Sequence, residues 1–179
     1  MKFASPLLVL TAVSGAYSLV VPRDGKDTIE VLNRVQAAID GLDDAVQDWT
    51  TDPTKTLEAS NKLIGRLDNG TASVKAGPSM NLFDAVILLE PMATLKMHAQ
   101  TLVDDMCAKK QKIESQGLCD AVRSQIDEID TSSKSLVDAT ISKIPDYVQA
   151  IAKFAAQPIM DSIDMAKQAF SEKNCVHHS

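Results

Sequence analysis

The sequence predicts an all-α protein, an up-and-down bundle of about five amphipathic helices bent at Pro91 and Pro158. Apolar residues recur every three or four positions along most of the chain, which is the spacing of one helix face. Thr51-Asp52-Pro53, Gly77-Pro78, Gln116-Gly117 and Pro145 punctuate the periodic stretches, and no stretch alternates like a strand. Aromatic residues make up only 4% of the chain, so the apolar faces are built from Leu, Ile, Val, Ala and Met.

The first helix is read over Asp27 to Trp49. Ile29, Leu32, Val35, Ile39, Leu42, Val46 and Trp49 form one stripe, with Asp27 as N-cap and Glu30 as its capping-box partner. Proline suits the first turn of a helix, so the second runs from Pro53 to about Ala76 and buries Leu57, Leu63, Ile64, Leu67 and Val74. The third begins after Ser79 and is the most apolar; Pro91 lies inside it and removes a backbone donor, which predicts a bend. The fourth covers Leu118 to Ser142, with Val122, Ile126, Ile129, Leu136, Val137 and Ile141 on its stripe. The fifth opens at Pro145, carries Tyr147, Val148, Ile151, Phe154, Ile159, Ile163, Met165 and Phe170, and is bent by Pro158. Short connections favour antiparallel neighbours.

The N-terminus reads as processing information. Met1-Lys2, the apolar run Leu7 to Val13 and the small-x-small site Ala16-Tyr17-Ser18 describe a secretory signal over residues 1–18, cut after Ser18. Residues 19–26 are then a short extension, 27–172 a single domain and 173–179 a polar tail. The chain carries 18 Lys and Arg against 24 Asp and Glu; losing Lys2 with the signal leaves 17 − 24, or −7. An acidic chain without a basic stretch is a poor nucleic-acid partner, and no segment has the length and hydropathy of a membrane span. A secreted, extracellular protein is expected.

No catalytic role can be assigned. The chain lacks Gly-x-Ser-x-Gly, His-Glu-x-x-His and Cys-x-x-Cys, and His98 is its one histidine outside the tail pair His177-His178, so no nucleophile with a positioned base and no metal site is expected. Asp43-Asp44, Asp104-Asp105 and Asp127-Glu128 read as solvated helix faces. In an oxidising compartment Cys107 and Cys119, flanking one turn, are expected to pair. Cys175 is then a free thiol, an intermolecular bridge or a competing partner for one of the other two. Asn69-Gly70-Thr71 is an N-glycosylation sequon.

The runs LLEPMATLKMHAQTLVDDMCAKK (Leu88 to Lys110), SKIPDYVQAIAKF (Ser142 to Phe154) and LIGRLDNGTASV (Leu63 to Val74), with the Ala169-Phe170 close, resemble the fungal hydrophobic surface-binding protein A family, also called cell-wall galactomannoproteins. The resemblance covers roughly residues 27–172 and is a pattern of apolar spacing rather than a catalytic signature. It implies a secreted, non-catalytic protein that adheres to hydrophobic surfaces or encloses a fatty acid or similar lipid, and that could recruit a secreted hydrolase to such a surface. A structural or antigenic cell-wall mannoprotein without a ligand is the alternative.

Helical periodicity selects the candidate wall of an internal lipid cavity: Leu32, Val35, Ile39, Leu63, Leu67, Phe83, Val86, Ile87, Met97, Ile126, Ile129, Val148, Ile151, Phe154 and Ile163. Six methionines of the mature chain could repack around a guest. Either an acyl chain enters a cavity near the proline bends, or the helices swing apart and lay their apolar faces on an interface.

Overall fold

The computed structural model describes residues 24–176, and within them all regular structure is helical. Five long helices carry the fold: α1 (Asp24–Asp48), α2 (Thr54–Ala76), α4 (Leu89–Ala108), α6 (Cys119–Lys143) and α7 (Asp146–Ala169). Two one-turn pieces, α3 (Leu82–Ile87) and α5 (Lys110–Ser115), flank α4. The expected signal peptide and the His177-His178 pair lie outside the described residues.

The long helices close into a ring. α1 packs against α2, α2 against α6, α6 against α7, α7 against α4 and α4 back against α1. Trp49 at the end of α1, Val103 in α4, Cys119 at the start of α6 and Phe170 just beyond α7 meet in one apolar cluster. The opposite end is tied by Met80 N–H donating to Lys143 O (2.7 Å) and by Lys143 Nζ donating to Gly77 O (2.5 Å). Helices α1, α4 and α7 therefore run one way and α2 and α6 the other: direction alternates along the chain as expected, but α4 packs between two helices parallel to it, α1 and α7, rather than against its chain neighbours α2 and α6. Five helices around a ring leave a central space that side chains must fill or leave open.

Local chemistry sets most boundaries as expected. Asp52 Oδ1 accepts from Thr54 N–H (3.0 Å) and fixes the entry to α2 after Pro53. Asn81 and Asp84 form a reciprocal capping box at α3. Gly117, at φ 68°, ends α5 in a Schellman arrangement, with Leu118 N–H reaching Ile113 O (3.0 Å) and Gly117 N–H reaching Glu114 O (3.1 Å).

Three expectations are corrected. Asp27 does not cap α1, because the helix already runs from Asp24; Gly25 lies so close to Asp84 of α3 that an added Cβ would sit 2.7 Å from its Oδ1. The expected third helix breaks at Leu88 rather than bending at Pro91. A proline in a helix clashes with the carbonyl four residues earlier and cannot donate to it. That carbonyl belongs to Ile87, where α3 ends, and regular bonding resumes with Met92 N–H to Leu88 O (3.1 Å). By contrast α7 passes through Pro158 without interruption.

Finally, Cys107 does not pair with Cys119. The disulfide joins Cys119 to Cys175, with Cα atoms 5.7 Å apart, and Cys107 is free and exposed. Cys107 points outward from the last turn of α4, whereas Cys119 is 1% exposed inside the cluster around Phe170, where the chain returns after α7. The short sequence separation of Cys107 and Cys119 spans α5 and places the two thiols on different faces.

Candidate functional site

The ring surrounds a partly open cavity of about 290 Å³, with the exposed Thr54 and Leu57 at its edge. Each long helix contributes the inward edge of its stripe. Leu32, Val35, Ile39, Leu42 and Val46 come from α1, and Leu63 and Leu67 from α2. Leu95, Leu102 and Val103 line it from α4, Ile126, Ile129 and Leu136 from α6, and Ala152, Ala156, Ile159 and Ile163 from α7. Its volume is about twice that of the ~150 Å³ engineered apolar void that stays dry and takes up benzene or xenon.

Most polar side chains in this wall are tied into the bundle, whereas Trp49 Nε1, which also borders the space, is buried without a hydrogen-bond partner. Ser60 Oγ donates to Gln125 Oε1 (2.7 Å), joining α2 to α6; Thr140 Oγ1 donates to Leu136 O (2.8 Å); Thr56 Oγ1 donates to Ala45 O (3.1 Å). Ser162 Oγ donates to Pro158 O (3.0 Å). Such bonds hold hydroxyls against the helix backbone and leave the space itself hydrocarbon in character. Among the described residues no ionisable side chain lines the cavity. It suits a chain of methylenes, each of which gains about 0.8 kcal/mol on leaving water.

Of the fifteen candidate wall residues, the structure brings eight to the cavity: Leu32, Val35, Ile39, Leu63, Leu67, Ile126, Ile129 and Ile163. Seven lie elsewhere. Phe83 (71% exposed), Val86, Met97, Ile151 and Phe154 (82% exposed) face outward; Ile87 is half-buried away from the cavity; Val148 packs on the core beside it. These seven share helices with wall residues but sit on other faces. On α4 the inward series is Leu95, Ala99, Leu102 and Met106, and Met97 falls about half a turn off it.

Sequence reasoning missed Leu95, Leu102, Ala152 and Ala156 in the wall. The α4 pair had a signal, the 88-92-95-99-102-106 repeat; the alanines had none, because a methyl group marks neither face of a helix strongly.

The polar surroundings are structural. His98 Nδ1 lies 2.5 Å from Asp40 Oδ1, and its Nε2 lies 3.3 Å from Gln36 Nε2. These contacts tie α4 to α1. At the far end Lys112 Nζ donates to Trp49 O (2.7 Å) and lies 5.3 Å from the indole centre, while Lys109 Nζ donates to Gln47 O (2.8 Å); both place positive charge at the C-terminus of α1. Burial and the facing Asp105 carboxyl raise the Asp43 pKa. Among the described residues no group of three or more His, Cys, Asp or Glu is placed to hold a metal ion, and no helix is long and apolar enough to cross a membrane.

The family model for hydrophobic surface binding protein A matches residues 25–142, which covers α1 to α6 and most of the cavity wall. The chain belongs to the hydrophobic surface binding protein A family. Among its relatives are cell wall mannoprotein 1 of Aspergillus flavus, 26% identical over 173 residues, and cell wall mannoprotein 1 of Aspergillus fumigatus, 27% identical over 175. The match takes in 96% of this chain in both cases but 63% and 61% of the relatives, so the chain spans about three fifths of their length. The fold is similar to ligand binding domain 1 of the Penicillium marneffei MP1 protein, solved with arachidonic acids (TM-score 0.79, 20% identity, 83% of this chain and 99% of that one). It is also similar to AFMP4P in complex with palmitic acid (TM-score 0.76, 22% identity, 83% of this chain and 100% of that one). These likenesses place the helical ring among known folds.

Proposed function

We propose that this protein is a secreted, non-catalytic carrier that encloses a fatty acid or similar single-chain lipid within its helical ring. The observation that carries this reading is the cavity itself, about 290 Å³ of space walled mainly by aliphatic side chains from all five long helices, with most of its hydroxyls bonded to the bundle. An aqueous guest would lose hydrogen bonds there; an acyl chain loses none. Fatty acids bound by structural neighbours at similar TM-scores support the same chemistry. Leu32, Val35, Ile39, Leu63, Leu67, Ile126, Ile129 and Ile163 then contact the chain, and the exposed Asn69 side of α2 is free to carry a glycan.

Native mass spectrometry of the secreted protein, compared with its denatured mass, tests the reading. A native excess of a few hundred daltons that disappears on denaturation is expected, together with a rise in thermal midpoint when palmitate or arachidonate is added. Saturation at a hundredfold over Kd corresponds to about 2.7 kcal/mol of stabilisation. Equal masses and an unmoved midpoint would sink the carrier reading in favour of a wall component without a ligand.

A further inference from the structure

The amino half of α7 is apolar on two opposite sides. Its inner side gives Ala152, Ala156 and Ile159 to the cavity, while Tyr147 (73% exposed), Ile151 (60%) and Phe154 (82%) stand outward at i, i+4 and i+7. A helix at the surface of a water-soluble bundle has a polar outer face. Here the largest outward groups are aromatic and aliphatic. Phe83 and Val86 of α3 are also exposed, and α3 starts from the same end of the ring, where Met80 N–H bonds Lys143 O.

Charge follows the same division. Residues 143–157 hold Lys153 and Lys143, the latter with its ammonium on Gly77 O, against Asp146, whereas the whole chain is at −6. Tyrosine and lysine beside exposed aliphatics are the residues that settle at a membrane–water boundary, the ring or methylene stem in the apolar layer and the polar tip in the headgroups. The attachments of α7 are also uneven. Its carboxyl half is held by Lys167 Nζ to Asp130 Oδ2 (2.8 Å) and Asp127 Oδ1 (3.1 Å), by Arg123 Nε to Phe170 O (3.2 Å) and by the Cys119–Cys175 bridge just beyond it. The hydrogen bonds of Gln149 near its amino end go to Ile144 O and Asp146, within the turn and the helix itself. Pro158 separates the halves and leaves the Phe154 carbonyl without its helical donor.

From this arrangement we propose that the Tyr147, Ile151 and Phe154 face of α7 docks on a phospholipid bilayer, and that a fatty acid passes from the bilayer into the cavity past the inner side of the same half-helix. The inference rests on the carrier reading. It adds the source of the lipid and the wall through which it enters.

The test compares wild type with the double substitution Ile151→Asp and Phe154→Asp. Both side chains are exposed, so helicity by circular dichroism is expected to be unchanged; Met165→Asp, on the carboxyl half of α7, is the control. Uptake of a fluorescent fatty acid is followed by stopped flow from phosphatidylcholine vesicles and, separately, by equilibrium titration with monomeric fatty acid in water. For wild type and the control the rate from vesicles is expected to climb with vesicle concentration. For the double variant it falls about tenfold or more, while equilibrium affinity for monomeric fatty acid stays within about twofold. Equal vesicle rates in wild type and double variant would overturn the docking face. So would a concentration-dependent dimer abolished by the variant with no change in vesicle uptake, which would assign the face to a second copy of this chain. No binding from water by wild type would overturn the carrier reading itself, and the inference with it.

Discussion

Asp130 links two helices through one carboxylate. It is 5% exposed on α6, and its Oδ2 accepts from Lys134 Nζ (2.7 Å) and Lys167 Nζ (2.8 Å) while Oδ1 is buried without a partner. Burial alone would raise its pKa; the hydrogen bonds and charges of the two lysines outweigh that effect and hold it below 3.8. Lys167 is pushed above 10.5, first by its hydrogen bond to Asp130 and then by that to Asp127. A depressed carboxyl pKa stabilises the fold above the ordinary value and loses that contribution as pH falls through the folded value. A raised lysine pKa stabilises below 10.5 and loses its contribution as pH rises through the folded value. Asp130→Asn is therefore expected to cost about 1–2 kcal/mol near neutral pH, the modest figure reflecting the partial exposure of both lysines. Urea unfolding of the two proteins should converge in acid below pH 3.8 and again above 10.5. A gap independent of pH would mean that the aspartate acts by packing alone. At this scale the sequence was least legible, because the Lys167 to Asp130 pair joins residues on different helices and only the closed ring brings them together.

The helices themselves were legible, since a 3.6-residue period and proline geometry are local properties of the chain. The stripe of α1, the entry to α2 after Pro53 and the stop at Gly117 all follow from residues within a few positions. Pro91 predicts a disruption, and the break falls one turn earlier, because the clash is with the carbonyl of Ile87. Whether a face turns in or out was harder to see. Where α7 is apolar on both sides, period alone assigns Ile151 and Phe154 inward as readily as Ala152 and Ala156. The disulfide failed for a related reason: sequence proximity favoured Cys107, but the path of the chain after α7 brings Cys175 to Cys119. That bridge closes a segment of 56 residues containing all of α7, and its loss is expected to cost about 2–4 kcal/mol. For a domain of this size that is about 5–15 °C in thermal midpoint. Cys175→Ser, measured by calorimetry beside wild type under reducing and non-reducing conditions, should show that loss without reductant, and the two proteins should match with it. An unchanged midpoint without reductant would show that the ion pairs and the Arg123 bond already hold α7.

At the scale of the whole molecule the cavity follows from the closed ring. The large aliphatic wall residues are visible in the sequence as apolar positions, yet the sequence equally permits a filled core, because periodicity specifies a face and not the distance between faces. Five helices packed pairwise around a closed path stand further from their common axis than four would, and the aliphatic residues on these stripes leave about 290 Å³ between them. Ala156 decides whether that space is open in solution. It is buried and lines the cavity from α7, so Ala156→Leu sends three additional carbons toward the centre. In an open cavity those carbons leave water for hydrocarbon contact at about 0.8 kcal/mol each, stabilising the ligand-free protein by about 2 kcal/mol. In a filled core the same change overpacks and costs about 1–3 kcal/mol. The two cases differ in sign. Calorimetry of delipidated Ala156→Leu is expected to show a midpoint raised by about 4–8 °C, with fatty-acid affinity lowered at least tenfold because the leucine occupies the space the acyl chain needs. A lowered midpoint would mean that the ligand-free ring collapses inward and that any lipid must force the helices apart as it enters.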